Sequence, residues 1–201
     1  KSAKRTNGTT TITWDKVQGA DGYRIYRKMP GGSWEHIDTV EKPYTDFQDY
    51  TVETNTVYIY TVRAYCKASG KTWMSDYNKT GVYWIDTPKM LVAEAYSEKS
   101  EIHHGQIDYD VLTGAKNVEG ADGFYVYRKT NNGKWEKIDD CPVFTGSNAG
   151  PLYEKAEQTL FRDSTVRPGN IYTYTCRAYC KVNGKIILSG YDPKGSSVTV
   201  K

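Results

Sequence analysis

The side chains able to do chemistry in this sequence are few: three histidines, four cysteines and scattered pairs of carboxylates. A metal site would need such ligands brought to one point, and catalysis a nucleophile, acid or base within hydrogen-bond reach of its partner. His103 and His104 are adjacent, so on a strand they point to opposite faces and read as surface residues rather than a ligand pair. Cys66, Cys141, Cys176 and Cys180 show no CxxC spacing and no neighbouring His pair, which argues against zinc. They read as small buried hydrophobes, with a Cys141–Cys176 bridge as the alternative. Asp139-Asp140 and Asp46 with Asp49 read as solvated turn acids, since no dense oxygen-ligand loop of the calcium type is present. The glycines fall in turns and form neither a GxGxxG nor a Walker pattern. The expectation is a chain that is not an enzyme, with no cofactor and no metal.

What positions these residues is a repeat. VQGADGYRIYRK at 17–28 returns as VEGADGFYVYRK at 118–129, GGSWEHIDTV at 31–40 as NGKWEKIDDC at 132–141, and VYIYTVRAYCKASGK at 57–71 as IYTYTCRAYCKVNGK at 171–185. A chain that repeats itself over most of its length is two copies of one unit, and 201 residues suffice for two ordinary domains. His36 stands opposite Lys137 in this repeat, so the unit does not depend on it.

Eighteen tyrosines against four phenylalanines, with abundant Thr and Val, favour strands, and no window holds a 3.6-residue period. Alternation puts Ile12 and Trp14 on one face, Tyr23, Ile25 and Arg27 on one face, and Tyr58, Tyr60, Val62, Ala64 and Cys66 on one face. Ser69-Gly70 and Asn183-Gly184 fit two-residue hairpin turns, which set Cys66 opposite Trp73 and Tyr65 opposite Met74. That register places Trp73 inward, as a core cap. Trp34 and Trp135 recur at one repeat position, which predicts packing common to the unit.

A Trp ending the second strand (Trp14), a GYxVYR-type third strand (22–27) and a YxYxVxAY strand (58–65), followed by a hairpin and Ser75-x-Tyr77, resemble fibronectin type III domains. GADGYRIYRK followed by a GGxW turn is similar, more narrowly, to repeats of secreted and surface proteins of Gram-positive bacteria. The resemblance implies two tandem seven-stranded antiparallel β-sandwiches, with Tyr58 and Tyr172 as corner tyrosines. Independently, short alternating strands with turns every 8–12 residues point to an all-β sandwich. The expected domains are 1–86 and 87–201.

The second copy differs in two places. IDYD at 107–110 aligns with ITWD at 12–15, putting Tyr109 in the place of Trp14 and six extra residues, 111–116, in the following loop. Residues 142–160 replace 41–46, a net insertion of thirteen, in which Leu152, Ala156 and Leu160 at i, i+4 and i+8 suggest one short helix. Both insertions fall toward the end of domain 2 that faces the linker, so Leu152 and Leu160 are candidate interdomain contacts, together with Trp84, whose repeat equivalent is Val198.

Binding is more credible than catalysis. The outward sheet face would carry Arg24, Tyr26, Arg63, Tyr65 and Met74 in domain 1, and Tyr125, Tyr127, Arg177, Tyr179 and Leu188 in domain 2. Tyr and Arg are enriched in interfaces; the competing reading is cross-strand pairing under long basic stems. A net charge of +3 without a basic stripe argues against nucleic acid, and the apolar runs are too short to enter a bilayer as a span. The chain begins without Met or a signal segment and reads as a piece of a larger secreted or cell-surface protein. The expected role is a spacer and interaction module beside flanking domains of the same polypeptide, with a protein or glycan partner; carbohydrate binding or adhesion by the Tyr/Arg face, as an accessory to a glycan-degrading enzyme, is the alternative.

Overall fold

A computed structural model describes residues 2–6, 9–99, 107–142 and 158–201. The chain divides into two compact units, Lys1–Trp84 and Ile85–Lys201. Among the described residues there are strands and turns and no helix.

Unit 1 runs β1 (Ser2–Thr6), β2 (Thr9–Thr13), β3 (Gly22–Lys28), β4 (Glu35–Glu41), β5 (Asp46–Asp49), β6 (Val57–Ala68), β7 (Lys71–Met74) and β8 (Val82–Ile85). One sheet has the order β1-β2-β5; the other has β4-β3-β6, with β7 and β8 both paired to the far side of β6. Unit 2 repeats this with β9 (Glu94–Lys99), β10 (Ile107–Lys116), β11 (Gly123–Thr130), β12 (Glu136–Pro142), β13 (Gln158–Asp163), β14 (Ile171–Val182), β15 (Lys185–Leu188) and β16 (Ser196–Thr199). Its sheets are β9-β10-β13 and β12-β11-β14 with β15 and β16 on β14. All ladders with a defined register are antiparallel. This is the two-sheet order expected of the sandwich, with its seventh strand broken in two.

The break has a chemical cause in Ser75 and Ser189. Ser75 donates its N–H to the Ala64 carbonyl and its Oγ accepts from the Ala64 N–H, at 2.8 and 3.0 Å. One serine thus satisfies both backbone groups of Ala64 and lets the chain leave the ladder before β8. Ser189 does the same for Ala178. Two residues on, Tyr77 and Tyr191 meet Trp34 and Trp135 edge to face, so the Ser-x-Tyr pattern is a strand-break device.

Period-2 alternation buries Ile12, Trp14, Tyr23, Ile25, Tyr58, Tyr60, Val62, Ala64 and Trp84 in one cluster between the sheets of unit 1. The hairpin turns have both residues at positive φ, 52° and 72° at Ser69-Gly70 and 49° and 75° at Asn183-Gly184, the type I′ geometry that matches strand twist. Tyr58 and Tyr172 are corner tyrosines: their hydroxyls accept from the N–H of Glu53 and Arg167.

Three sequence expectations need correction. Thr10 pairs with Asp49 and Val111 with Asp163, and this register makes Ala115, not Tyr109, the counterpart of Trp14. Residues 111–116 are therefore the second half of β10, not a lengthened loop, and the extra residues lie before it. Leu160 belongs to strand β13 and is 54% exposed, so it is not part of a helix; Leu152 and Ala156 lie outside the described residues. Trp84 lies stacked on Tyr58 at 6.1 Å within the unit 1 core, and that packing accounts for its burial.

Candidate functional site

Among the described residues each unit buries one repeated polar cluster that the sequence reading does not predict. Arg27 stands at an inward position of β3, because it alternates with Tyr23 and Ile25. It meets Asp49 of the opposite sheet at 2.8 Å and Thr51 Oγ1 at 2.8 Å. The same carboxylate accepts from the Tyr60 hydroxyl at 2.9 Å and from Thr51 N and Oγ1. Unit 2 repeats every bond with Arg128, Asp163, Thr165 and Tyr174. Asp49 is thus a buried strand residue and not a solvated turn acid. Asp139 and Asp140 also sit in a strand, β12, though exposed. The signal lies in the sequence as an Asp-x-Thr whose Asp closes the fifth strand of each copy, with an inward Arg and Tyr.

Burial alone would raise the Asp49 carboxyl, but hydrogen bonds from Thr51 and Tyr60 and the charge of Arg27 outweigh it and hold it below the ordinary value. Asp163 is held low in the same way. Burial, then the neighbouring carboxylate, pushes the Tyr60 and Tyr174 hydroxyls far up, so both stay protonated donors. A carboxyl whose folded value is depressed contributes stability that is full above its unfolded value, near 4, and is lost as pH falls through the folded value. Urea midpoints should therefore be flat between about pH 7 and pH 5 and drop below about pH 4. Asp49→Asn or Asp163→Asn should flatten part of that drop; an unchanged acid limb in both variants would contradict the assignment.

The carboxylates of this cluster are buried, while the arginines are half-buried and Thr51 and Thr165 reach the surface. Among the described residues no group of three or more His, Cys, Asp or Glu side chains is placed to hold a metal ion; His103 and His104 lie outside them. The four cysteines are unpaired. Cys141 on β12 and Cys176 on β14 flank β11 on opposite sides, about 10 Å apart by strand spacing, beyond the roughly 7 Å limit for a bridge. Burial pushes the Cys176 and Cys180 thiols up to about 12, and burial with the adjoining Asp139 does the same to Cys141. Native protein at pH 8 should leave these three unlabelled by a thiol reagent over minutes, and reductant should leave the melting temperature unchanged. A reductant-dependent melt would overturn the unpaired assignment.

The predicted outward face exists, with two changes of cast. Arg24, Tyr26, Arg63 and Met74 are half-buried on it in unit 1, as are Tyr125, Tyr127, Arg177 and Leu188 in unit 2. Tyr65 and Tyr179 lie on the same face but are only 4% and 1% exposed. Each ring folds over a glycine: a Cβ at Gly22 would sit 2.6 Å from the Tyr65 hydroxyl, and one at Gly123 would sit 2.5 Å from that of Tyr179. They are packing residues, and the Tyr65 hydroxyl is taken by Glu41 at 2.9 Å. Trp34 lies across Gly81, and Trp135 across Gly195, as the shared repeat position predicted.

In unit 1 the face holds a cleft of about 110 Å³ lined by Tyr26, Trp34, Thr61, Arg63 and Tyr77. Its rings are already covered: Lys28 Nζ lies 5.0 Å over Trp34, the Arg63 guanidinium 5.5 Å over Tyr77, and Tyr26 meets His36 at 5.3 Å. At one pole of unit 1, Trp73 stands opposite Cys66 as the hairpin predicts, yet it is 60% exposed and caps nothing. A hollow of about 360 Å³ lies between the 16–20 loop, Tyr23, Lys42 and Pro43.

No family model matches the chain, and no curated protein matches it. Among solved structures it is similar to the crystal structure of chicken CNTN1 FN1–FN3 domains, at 17% identity and a TM-score of 0.33, covering 98% of this chain and 62% of that one. The chain thus spans less than two thirds of that structure. At this score the likeness adds nothing to the fold assignment, which rests on the sheet order and registers above.

Proposed function

We propose that this chain is a noncatalytic spacer and interaction module of a larger extracellular or cell-surface protein, displaying or linking its neighbours. The observation that carries this reading is the repeated buried cluster. Each unit spends its most reactive polar groups, Arg27 with Asp49 and Tyr60, and Arg128 with Asp163 and Tyr174, on joining its two sheets. The outward sheet faces carry half-buried Tyr and Arg (Arg24, Tyr26 and Arg63; Tyr125, Tyr127 and Arg177), residue types enriched in contact faces. Such a unit is stiff, and stiffness is what a spacer contributes.

The test is replacement within the parent polypeptide. Exchange for an unrelated tandem β-sandwich of the same span should preserve the display of neighbouring domains, and a Gly/Ser linker of equal residue count should lose it. Equal performance by the flexible linker would sink the spacer reading. Carbohydrate binding draws on one observation, the exposed Trp73. A glycan array with Trp73→Ala tests it directly: retention of a glycan that the variant loses would favour it over the spacer role.

A further inference from the structure

Residues shared by the two copies build the unit, so a recognition surface is sought where equivalent positions differ within one framework. One row of the outward face does so. In unit 1 it reads Thr39, Arg24, Arg63 across β4, β3 and β6; in unit 2 it reads Asp140, Tyr125, Arg177 across β12, β11 and β14. Arg63 and Arg177 are equivalent in structure, each donating Nε–H to a serine carbonyl, Ser75 or Ser189. The difference is Arg24 in place of Tyr125, and Thr39 in place of Asp140.

That exchange changes the charge of the row. Unit 2 sets one Arg against one Asp, and its Tyr125 ring is covered by Lys137 Nζ at 3.2 Å. Unit 1 sets two guanidiniums on directly opposed residues with no acid among them, an arrangement that costs stability by itself. Among the described residues Arg24 has no hydrogen-bond or ion-pair partner, and Glu41, two positions along β4 from Thr39, already accepts the Tyr65 hydroxyl. A carboxylate between Arg24 and Arg63 would relieve the repulsion and receive paired N–H donors from a planar fork.

Beside this row lies the cleft lined by Tyr26, Trp34, Thr61, Arg63 and Tyr77, about 110 Å³. It is smaller than the roughly 300 Å³ at which free small-molecule sites begin, but it can receive one side chain. Lys28, Arg63 and His36 already lie against its rings, so a stacking sugar would compete with contacts the unit makes itself. Tyr, Trp and Arg around a one-residue recess are the composition of a protein–protein anchor point. We infer that the outward face of unit 1 docks an acidic peptide segment of a protein partner, with a carboxylate seated between Arg24 and Arg63 and a neighbouring side chain in the Tyr26–Trp34–Tyr77 cleft. This rests on the interaction-module reading and names the partner's chemistry.

The fold itself supplies the cleanest variant, because unit 2 already carries the alternative row. The 201-residue protein is titrated with a random Glu/Tyr copolymer and with polygalacturonate at low and at 0.5 M salt. The copolymer should bind at low salt, weaken with salt, and bind the Arg24→Tyr/Thr39→Asp variant at least tenfold more weakly. The reciprocal Tyr125→Arg/Asp140→Thr change should add a second site. Melting curves within a few degrees of the parent confirm that both variants fold. No binding of the copolymer, binding indifferent to the exchange, or tighter binding of polygalacturonate would each overturn the proposal. None of these results touches the spacer role, which stands or falls on the linker replacement.

Discussion

Asp163→Ala is expected to lower the unfolding free energy of unit 2 by about 3–5 kcal/mol, the range for removing one partner of a buried ion pair. The mechanism is loss of acceptors rather than loss of attraction. Asp163 is 6% exposed in its side chain, and it accepts from Arg128, the Tyr174 hydroxyl, and Thr165 N and Oγ1. Truncation strands a buried phenol and leaves the half-buried Arg128 guanidinium only the Thr165 hydroxyl. At about 4 °C or more per kcal/mol for a unit of this size, the melting temperature should fall by about 12 °C or more. Asp49→Ala should do the same to unit 1 through Arg27 and Tyr60. The paired change Arg128→Met/Asp163→Leu should cost less than Asp163→Ala, because it removes the stranded charge along with its partner. If Asp163→Ala costs under about 1 kcal/mol in urea unfolding, the cluster does not hold the sheets together as described.

The second large effect is expected at Gly22 and Gly123. Neither has a positive φ, so backbone freedom is not what they supply; they supply space. A Cβ on Gly22 would lie 2.6 Å from the Tyr65 hydroxyl, 2.8 Å from a Tyr65 ring carbon and 2.6 Å from the Val40 carbonyl oxygen. On Gly123 it would lie 2.5 Å from the Tyr179 hydroxyl and 2.7 Å from the Cys141 carbonyl oxygen. Relief requires backbone movement at the β3–β4 or β11–β12 ladder, so Gly22→Ala and Gly123→Ala should each cost about 3 kcal/mol, at the upper end for overpacking. Tyr65→Phe should not rescue Gly22→Ala, since the ring carbon and the backbone oxygen remain in the way. Gly70→Ala is the contrasting control: its φ is +72° with nothing within 4 Å of the added atom, so its cost of about 1 kcal/mol comes from conformation alone. Equal effects at Gly22 and Gly70 would contradict the packing argument.

These two features show which parts of the molecule could be read from residues. Alternation and turn chemistry are local, so strand faces and the Ser69-Gly70 hairpin with its Cys66–Trp73 register were legible; the repeat carried the shared packing of Trp34 and Trp135, and the resemblance to fibronectin type III domains carried the corner tyrosines. Long-range pairing was not. IDYD looks like ITWD, but the pairing of Val111 with Asp163 fixes β10 by its contact with β13, and puts Ala115 where Trp14 stands. Alternation assigns Trp73 to a face without saying whether the opposite sheet reaches that far, and it does not. Tyr65 and Tyr179 were assigned to the outward face correctly, yet an outward residue can still be buried when it lies flat over a neighbouring glycine. The Arg27–Asp49–Tyr60 cluster was hidden because each residue type has a commoner surface use; only the repeated Asp-x-Thr beside an inward Arg separates it from a charged exterior.

Residues that recur in both copies build the sandwich, and the proposed docking of an acidic segment rests on positions that differ, Arg24 and Thr39 against Tyr125 and Asp140. Chemical-shift mapping of the isotope-labelled 201-residue protein during a Glu/Tyr copolymer titration tests that division most directly. Perturbations should gather on Arg24, Tyr26, Thr39 and Arg63, including the Arg24 and Arg63 guanidinium resonances, while Tyr125, Tyr127, Asp140 and Arg177 keep their positions. Equal shifts on both rows, or shifts confined to the pole around Trp73 and Lys42, would contradict it.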